Sequence, residues 1–210
     1  MSLVSRVLVS PAALIATSWG QMTPPAQAPS DLTDLAQTYC FSADGDHYAT
    51  WDRARRDGFT ELRPEDFPNL HMSVALDLRG FTRTQYDTEV RILTAGTWIN
   101  SGEHGLAHYK LCWVSANPAD RRTLDRDLQQ FFGHRGFRQL HARVFAWIPL
   151  ADGTERPVTL REFQRSGHRL SREQGMRLVV AGNVREMATV AYMVPTEDCE
   201  DWCYGSTRAR

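Results

Sequence analysis

Lysine is almost missing from this chain: Lys110 is the single one among 24 basic residues, the rest being arginine. Genome composition explains that skew more simply than a set of phosphate clamps does, and no function attaches to it. Net charge is also scarce. A formal charge of -1 gives no global basic field for holding nucleic acid, and 42% hydrophobic residues argue against wholesale disorder. Long apolar runs are lacking too. The stretch from Val7 to Gly20 is interrupted by Ser10 and Pro11 and falls short of the roughly 20 residues needed to cross a bilayer, so no spanning anchor is expected. Finally, the chain has no G-x-S-x-G elbow, phosphate loop, dinucleotide glycine fingerprint or HExxH pair. Several well-defined enzyme classes are thereby removed, and no catalytic residue, metal ligand or cofactor is assigned.

What is present first is an ordered leader. Arg6, the apolar stretch and then Ala26-Gln27-Ala28 follow the plan of a secretory signal, so residues 1–28 read as a signal peptide cleaved after Ala28. Pro29 opposes cleavage there, because it restricts the extended backbone a peptidase grips, and an uncleaved peripheral anchor is the alternative. Residues 29–195 then form one domain, and 196–210 a tail carrying a cysteine pair.

The four cysteines are an even count that suits an oxidising, periplasmic or secreted location. Three pairings are possible. Cys40 with Cys112 and Cys199 with Cys203 is favoured, because the first would tie a helix to a strand and the second needs only a local bend. Buried free thiols at Cys40 and Cys112 are the competing reading.

Periodicity gives the fold class. Ser30 can cap a helix with Leu32, Leu35, Ala36, Tyr39 and Cys40 on one stripe, and Asp46 opens a second that stops at Gly58-Phe59. Strands are expected over residues 71–78, 89–95 and 107–115. Asn117-Pro118 should start a helix that ends at Gly133, followed by a strand with Leu140, Ala142, Val144, Ala146 and Ile148 inward. Thr159 with Glu162 makes a capping box for a short helix ending by Gly167, and a last hairpin turns around Gly182-Asn183. The sum is an α+β domain: a mostly antiparallel sheet of about five or six strands with helices packed on one face.

Few residues suggest chemistry. His104 and His108 with Glu103 are the nearest thing to a metal site, but Gly102 and Gly105 oppose the helix that their spacing requires, and solvent-facing histidines are the simpler reading. Cys199-Glu200-Asp201-Trp202-Cys203 is not a C-x-x-C redox pair, so a structural disulfide is preferred. Asp44 and Asp46 beside His47 suggest an acid/base cluster, but capping suffices for Asp46. Arg53, Arg55 and Arg56, and Arg161, Arg165, Arg169 and Arg172, read as solvated helix faces. Trp98, Trp113 and Trp147 fall on or beside strands, where core packing is the ordinary role and an exposed ligand-stacking surface the rarer one.

With the leader, Tyr39-Cys40, Gly45-Asp46, Gly58-Phe59 and Leu111-Cys112-Trp113, the chain resembles a loose group of uncharacterised exported proteins of alphaproteobacteria. The resemblance implies export and a Cys40–Cys112 link, and it carries no activity. The expected function is a non-enzymatic periplasmic or secreted binding or accessory module, contacting an envelope component or another protein through a sheet face or loop. The competing class is an envelope hydrolase or metal-dependent enzyme centred on His104 and His108.

Overall fold

The computed structural model describes residues 32–63, 66, 76–85, 87–100, 106–184 and 187–196. The leader, the Ser30 cap, the strand start at 71–75, Glu103, His104, Cys199, Cys203 and the tail beyond Thr196 lie outside them.

The chain opens with α1 (Leu32–Ala36), which widens into a π-helical stretch over Gln37–Phe41, and continues into α2 (His47–Arg56). Asp46 caps α2 by accepting from the Ala49 amide at 3.1 Å. At the far end Gly58 takes φ 79°, so that the Phe59 amide reaches the Ala54 carbonyl and the Gly58 amide the Arg55 carbonyl. That is the glycine stop expected from Gly58-Phe59, and it turns Phe59 into the core.

Among the described residues nine strands make one antiparallel sheet: β1 (Thr60–Glu61), β2 (Leu76–Gln85), β3 (Thr88–Asn100), β4 (Leu106–Asn117), β5 (Phe137–Gln139), β6 (Ala142–Pro149), β7 (Glu155–Pro157), β8 (Arg177–Val184) and β9 (Met187–Thr196). Their spatial order is β1-β2-β3-β4-β9-β8-β6-β5, with β7 beside β5 on the same edge of β6. The α+β expectation holds, with more strands than the five or six expected. The extra ones are β1, β5 and β7, runs of two or three residues too short to show a period.

Helices lie on both faces of the sheet, not on one. Leu32, Leu35, Tyr39, Trp51 and Leu128, from α1, α2 and α3 (Arg121–Phe132), share a core with Ile92, Val114, Phe145, Val179 and Val190. Leu170 of α4 (Leu160–Gln174) packs on the opposite face with Tyr109, Val144, Ala146 and Leu178. The physical reason is visible in β6, where Val144 to Ile148 are all buried: a continuous apolar run needs cover on both sides.

Local expectations are corrected at four places. Asp120, not Asn117, caps α3, accepting from the Arg122 amide at 2.9 Å, while Asn117 ends β4. The Thr159–Glu162 capping box forms, but α4 continues through Gly167 to Gln174. Gly167 leaves room for a ring: a Cβ there would sit 3.3 Å from Phe163. Leu140 is not inward but 92% exposed, in the two-residue turn between β5 and β6. Gly182 and Asn183 pair within β8, and the hairpin closes beyond Val184, which faces Met187.

Cys40 and Cys112 form a disulfide with a Cα separation of 5.4 Å, joining the first helical segment to β4. Beside it the Trp51 indole donates to the Thr94 hydroxyl at 2.7 Å and the Thr50 hydroxyl to the Tyr39 carbonyl at 2.8 Å. Both buried polar contacts are therefore satisfied.

Candidate functional site

The face of the sheet that carries α4 is only partly covered. Register sets its surface. Trp113 stands opposite Ala191, Ala191 opposite Val180, Val180 opposite Val144 and Val144 opposite Phe137, giving one apolar row across five strands. The next row runs Ser115, Thr189, Gly182, and the one before it Leu111, Met193, Leu178, Ala146. Alternate residues of β8 and β9 tell the two faces apart: Val179, Ala181, Val190 and Tyr192 are buried under α1–α3, whereas Val180, Gly182, Ala191 and Met193 remain half-exposed.

Those half-exposed residues floor a groove of about 560 Å³. Trp113 forms one wall, Phe163 of α4 another, and the Leu140–His141 turn closes an end. Small residues leave room over its floor, since Gly182 has no side chain and Ala142 and Ala191 have one carbon each. The Trp113 indole nitrogen is buried and has no hydrogen-bond partner among the described residues. Val184 at the rim is 43% exposed.

A second, smaller cavity of about 200 Å³ shares Leu140, His141 and Ala142 with the groove. Arg121, Arg138 and Arg143 converge on it with one acid, Asp125. Arg143 lies 3.6 Å from Asp125 and its Nε is buried without a hydrogen-bond partner among the described residues, while Arg121 donates to the His141 carbonyl at 2.6 Å.

The residues singled out from sequence are placed elsewhere, with one exception. His108 sits in β4 opposite Trp98 and Thr196 and borders a polar cavity at the end of α4, and no group of three metal-ligating side chains occurs among the described residues. Arg53 donates to the Thr38 carbonyl and the Ser42 hydroxyl, and Arg55 pairs with Asp52 and Glu61, so that cluster is spent on local contacts. Trp147 is buried and stacked on Tyr192. Asp44 receives bonds from the Tyr192 hydroxyl and from Arg177, both at 2.7 Å, and so pins the turn before α2 onto the sheet. Burial first, then that bond to Asp44, pushes the Tyr192 phenol well above its ordinary range. His134 is lowered mainly by burial, opposed by Glu155, and its Nδ1 accepts from the Gly136 amide at 3.1 Å. Neither group borders the groove. Trp113 is the exception, and it belongs to the groove wall.

No family model, no curated protein and no solved structure matches the chain. Function is therefore read from the groove itself.

Proposed function

We propose that the chain is a non-enzymatic binding module of an exported, oxidising compartment, akin to the loose alphaproteobacterial group it resembles, and that it holds an apolar ligand in the groove between Trp113 and Phe163. The observation that carries this is the half-exposed floor of Val180, Gly182, Ala191 and Met193. An apolar concavity of this size, walled by aromatic side chains and edged by a few polar groups, is the ordinary form of a small-molecule site. Each buried CH₂ of a ligand contributes roughly 0.8 kcal/mol, so micromolar affinity takes a chain of at least about ten buried carbons. The Cys40–Cys112 link supports the compartment, because such bonds persist where thiols are not kept reduced.

The test is titration with a neutral apolar fluorophore such as N-phenyl-1-naphthylamine. Saturable, one-site enhancement is expected. A Cβ at Gly182 would meet Ala142 at an ordinary 3.7 Å, so the position admits a side chain pointing into the groove, and Gly182→Leu should weaken the probe by about tenfold or more. Unsaturable binding, or equal affinity in the variant with native circular dichroism, would remove the proposal.

A further inference from the structure

We infer that the ligand of this groove is an anionic amphiphile, its apolar chain on the sheet floor and its headgroup at the arginine cluster beyond the Leu140–His141 turn. The inference rests on the groove being the binding site, and adds the chemistry of the head.

Three observations meet at that turn. The first is positive charge in excess of its counter-charge. β5 and β6 pair so that Arg138 lies directly opposite Arg143, and like charges in that position repel. Arg121 brings a third guanidinium to the same cavity, against Asp125 alone. Arg138 has no hydrogen bond or ion pair to any described residue, and Arg143 reaches Asp125 only at 3.6 Å. A like-charge pair that costs stability, joined by a third guanidinium, is accounted for by an anion that completes it. Guanidinium forks match carboxylate and phosphate oxygens in geometry as well as charge.

The second is continuity. The arginine cavity and the apolar groove share Leu140, His141 and Ala142, so a single molecule can occupy both by passing over the turn. The arginines stand on the α3 side of the sheet and the groove on the α4 side. Only the Leu140–His141 turn at the end of the β5–β6 hairpin, which lines both cavities, separates them.

The third is Leu140 itself. It holds φ 53°, a left-handed conformation that a leucine side chain disfavours, and it exposes 92% of its surface at the junction of the two cavities. A strained, exposed apolar residue at that point suits contact with the first carbons below a polar head.

The experiment is displacement of N-phenyl-1-naphthylamine by dodecanoate, dodecanol and a single-chain phosphate-headed lipid. Both anions should displace the probe at about tenfold lower concentration than dodecanol, with the gap narrowing at high salt. The tighter of the two identifies the head as carboxylate or phosphate, and competition by inorganic phosphate against the anions alone would place it in the arginine cavity. Arg138→Gln, an exposed edge-strand change, should reduce the gap to about threefold or less while leaving dodecanol unchanged. Equal displacement by dodecanoate, phosphate-headed lipid and dodecanol, or an unchanged gap in Arg138→Gln, overturns the inference and leaves the groove in place. If none of them displaces the probe, the groove reading fails with it.

Discussion

Leu140 is a residue whose sequence context misleads. It continues the alternation of Ala142, Val144, Ala146 and Ile148, yet it occupies a turn, because β5 adds a strand before it and Gln139 pairs with Ala142. Period two places residues on a face but does not say where a strand ends. If the φ of 53° is kept for binding, relieving it should stabilise the fold. Asparagine tolerates that conformation, so Leu140→Asn is expected to gain about 0.5–1 kcal/mol and raise Tm by about 2 °C, while weakening dodecanoate severalfold. Thermal unfolding with and without ligand checks both. A fall in the ligand-free Tm would mean that the leucine is a packing residue. Arg138 and Arg143 were equally illegible: five residues apart, they become opposite only through the register of a two-residue turn. Trp113 was legible as an aromatic beside a strand, but not as a groove wall, since both faces of β4 are apolar.

Among the elements, boundaries marked by local chemistry were readable and those set by tertiary contact were not. Asp46, Gly58, Gly133 and the Thr159–Glu162 box act within one turn of their own position, and each does what its residue type requires. Asn117-Pro118 offered the same signals, but strand pairing to Glu89 holds Asn117 and moves the cap to Asp120. The face that receives α4 was hidden for a related reason. A run such as Val144 to Ile148 tells that both sides are buried, not which helix covers which. The disulfide joins the two kinds of information. Cys40 was on a legible helical stripe and Cys112 on a legible strand, and their bond closes a sequence separation of 72 residues. On the loop-entropy account it contributes about 4 kcal/mol. The double variant Cys40→Ala/Cys112→Ala should lose about that much in urea unfolding, and reduced wild-type protein should match it. A loss under about 1 kcal/mol would show that the helix–strand packing around Trp51 and Thr94 holds the fold by itself.

At the scale of the molecule the question is whether the sheet is one cooperative body or two halves, β1–β4 and β5–β9, joined at an edge. Three features bind the halves. β4 and β9 pair along nearly their whole length, α1 packs over both, and Asp44 from the helical amino-terminal region is held by Arg177 and Tyr192 of the other half. Two-state behaviour is usual in smaller domains, so at 210 residues it needs such a seam. Far-ultraviolet circular dichroism and tryptophan fluorescence should therefore trace one coincident urea transition, the latter sampling Trp51 in the first half, Trp113 at the seam and Trp147 in the second. The groove sharpens this test, because its floor runs from β6 through β8 and β9 to Trp113 on β4. A ligand that binds only the native state stabilises by about 2.7 kcal/mol at a hundredfold its Kd. If the halves are one body, dodecanoate at that ratio moves both curves together by that amount. If they are two, the ligand shifts the half it mainly touches, and the curves separate in its presence even where they coincide without it.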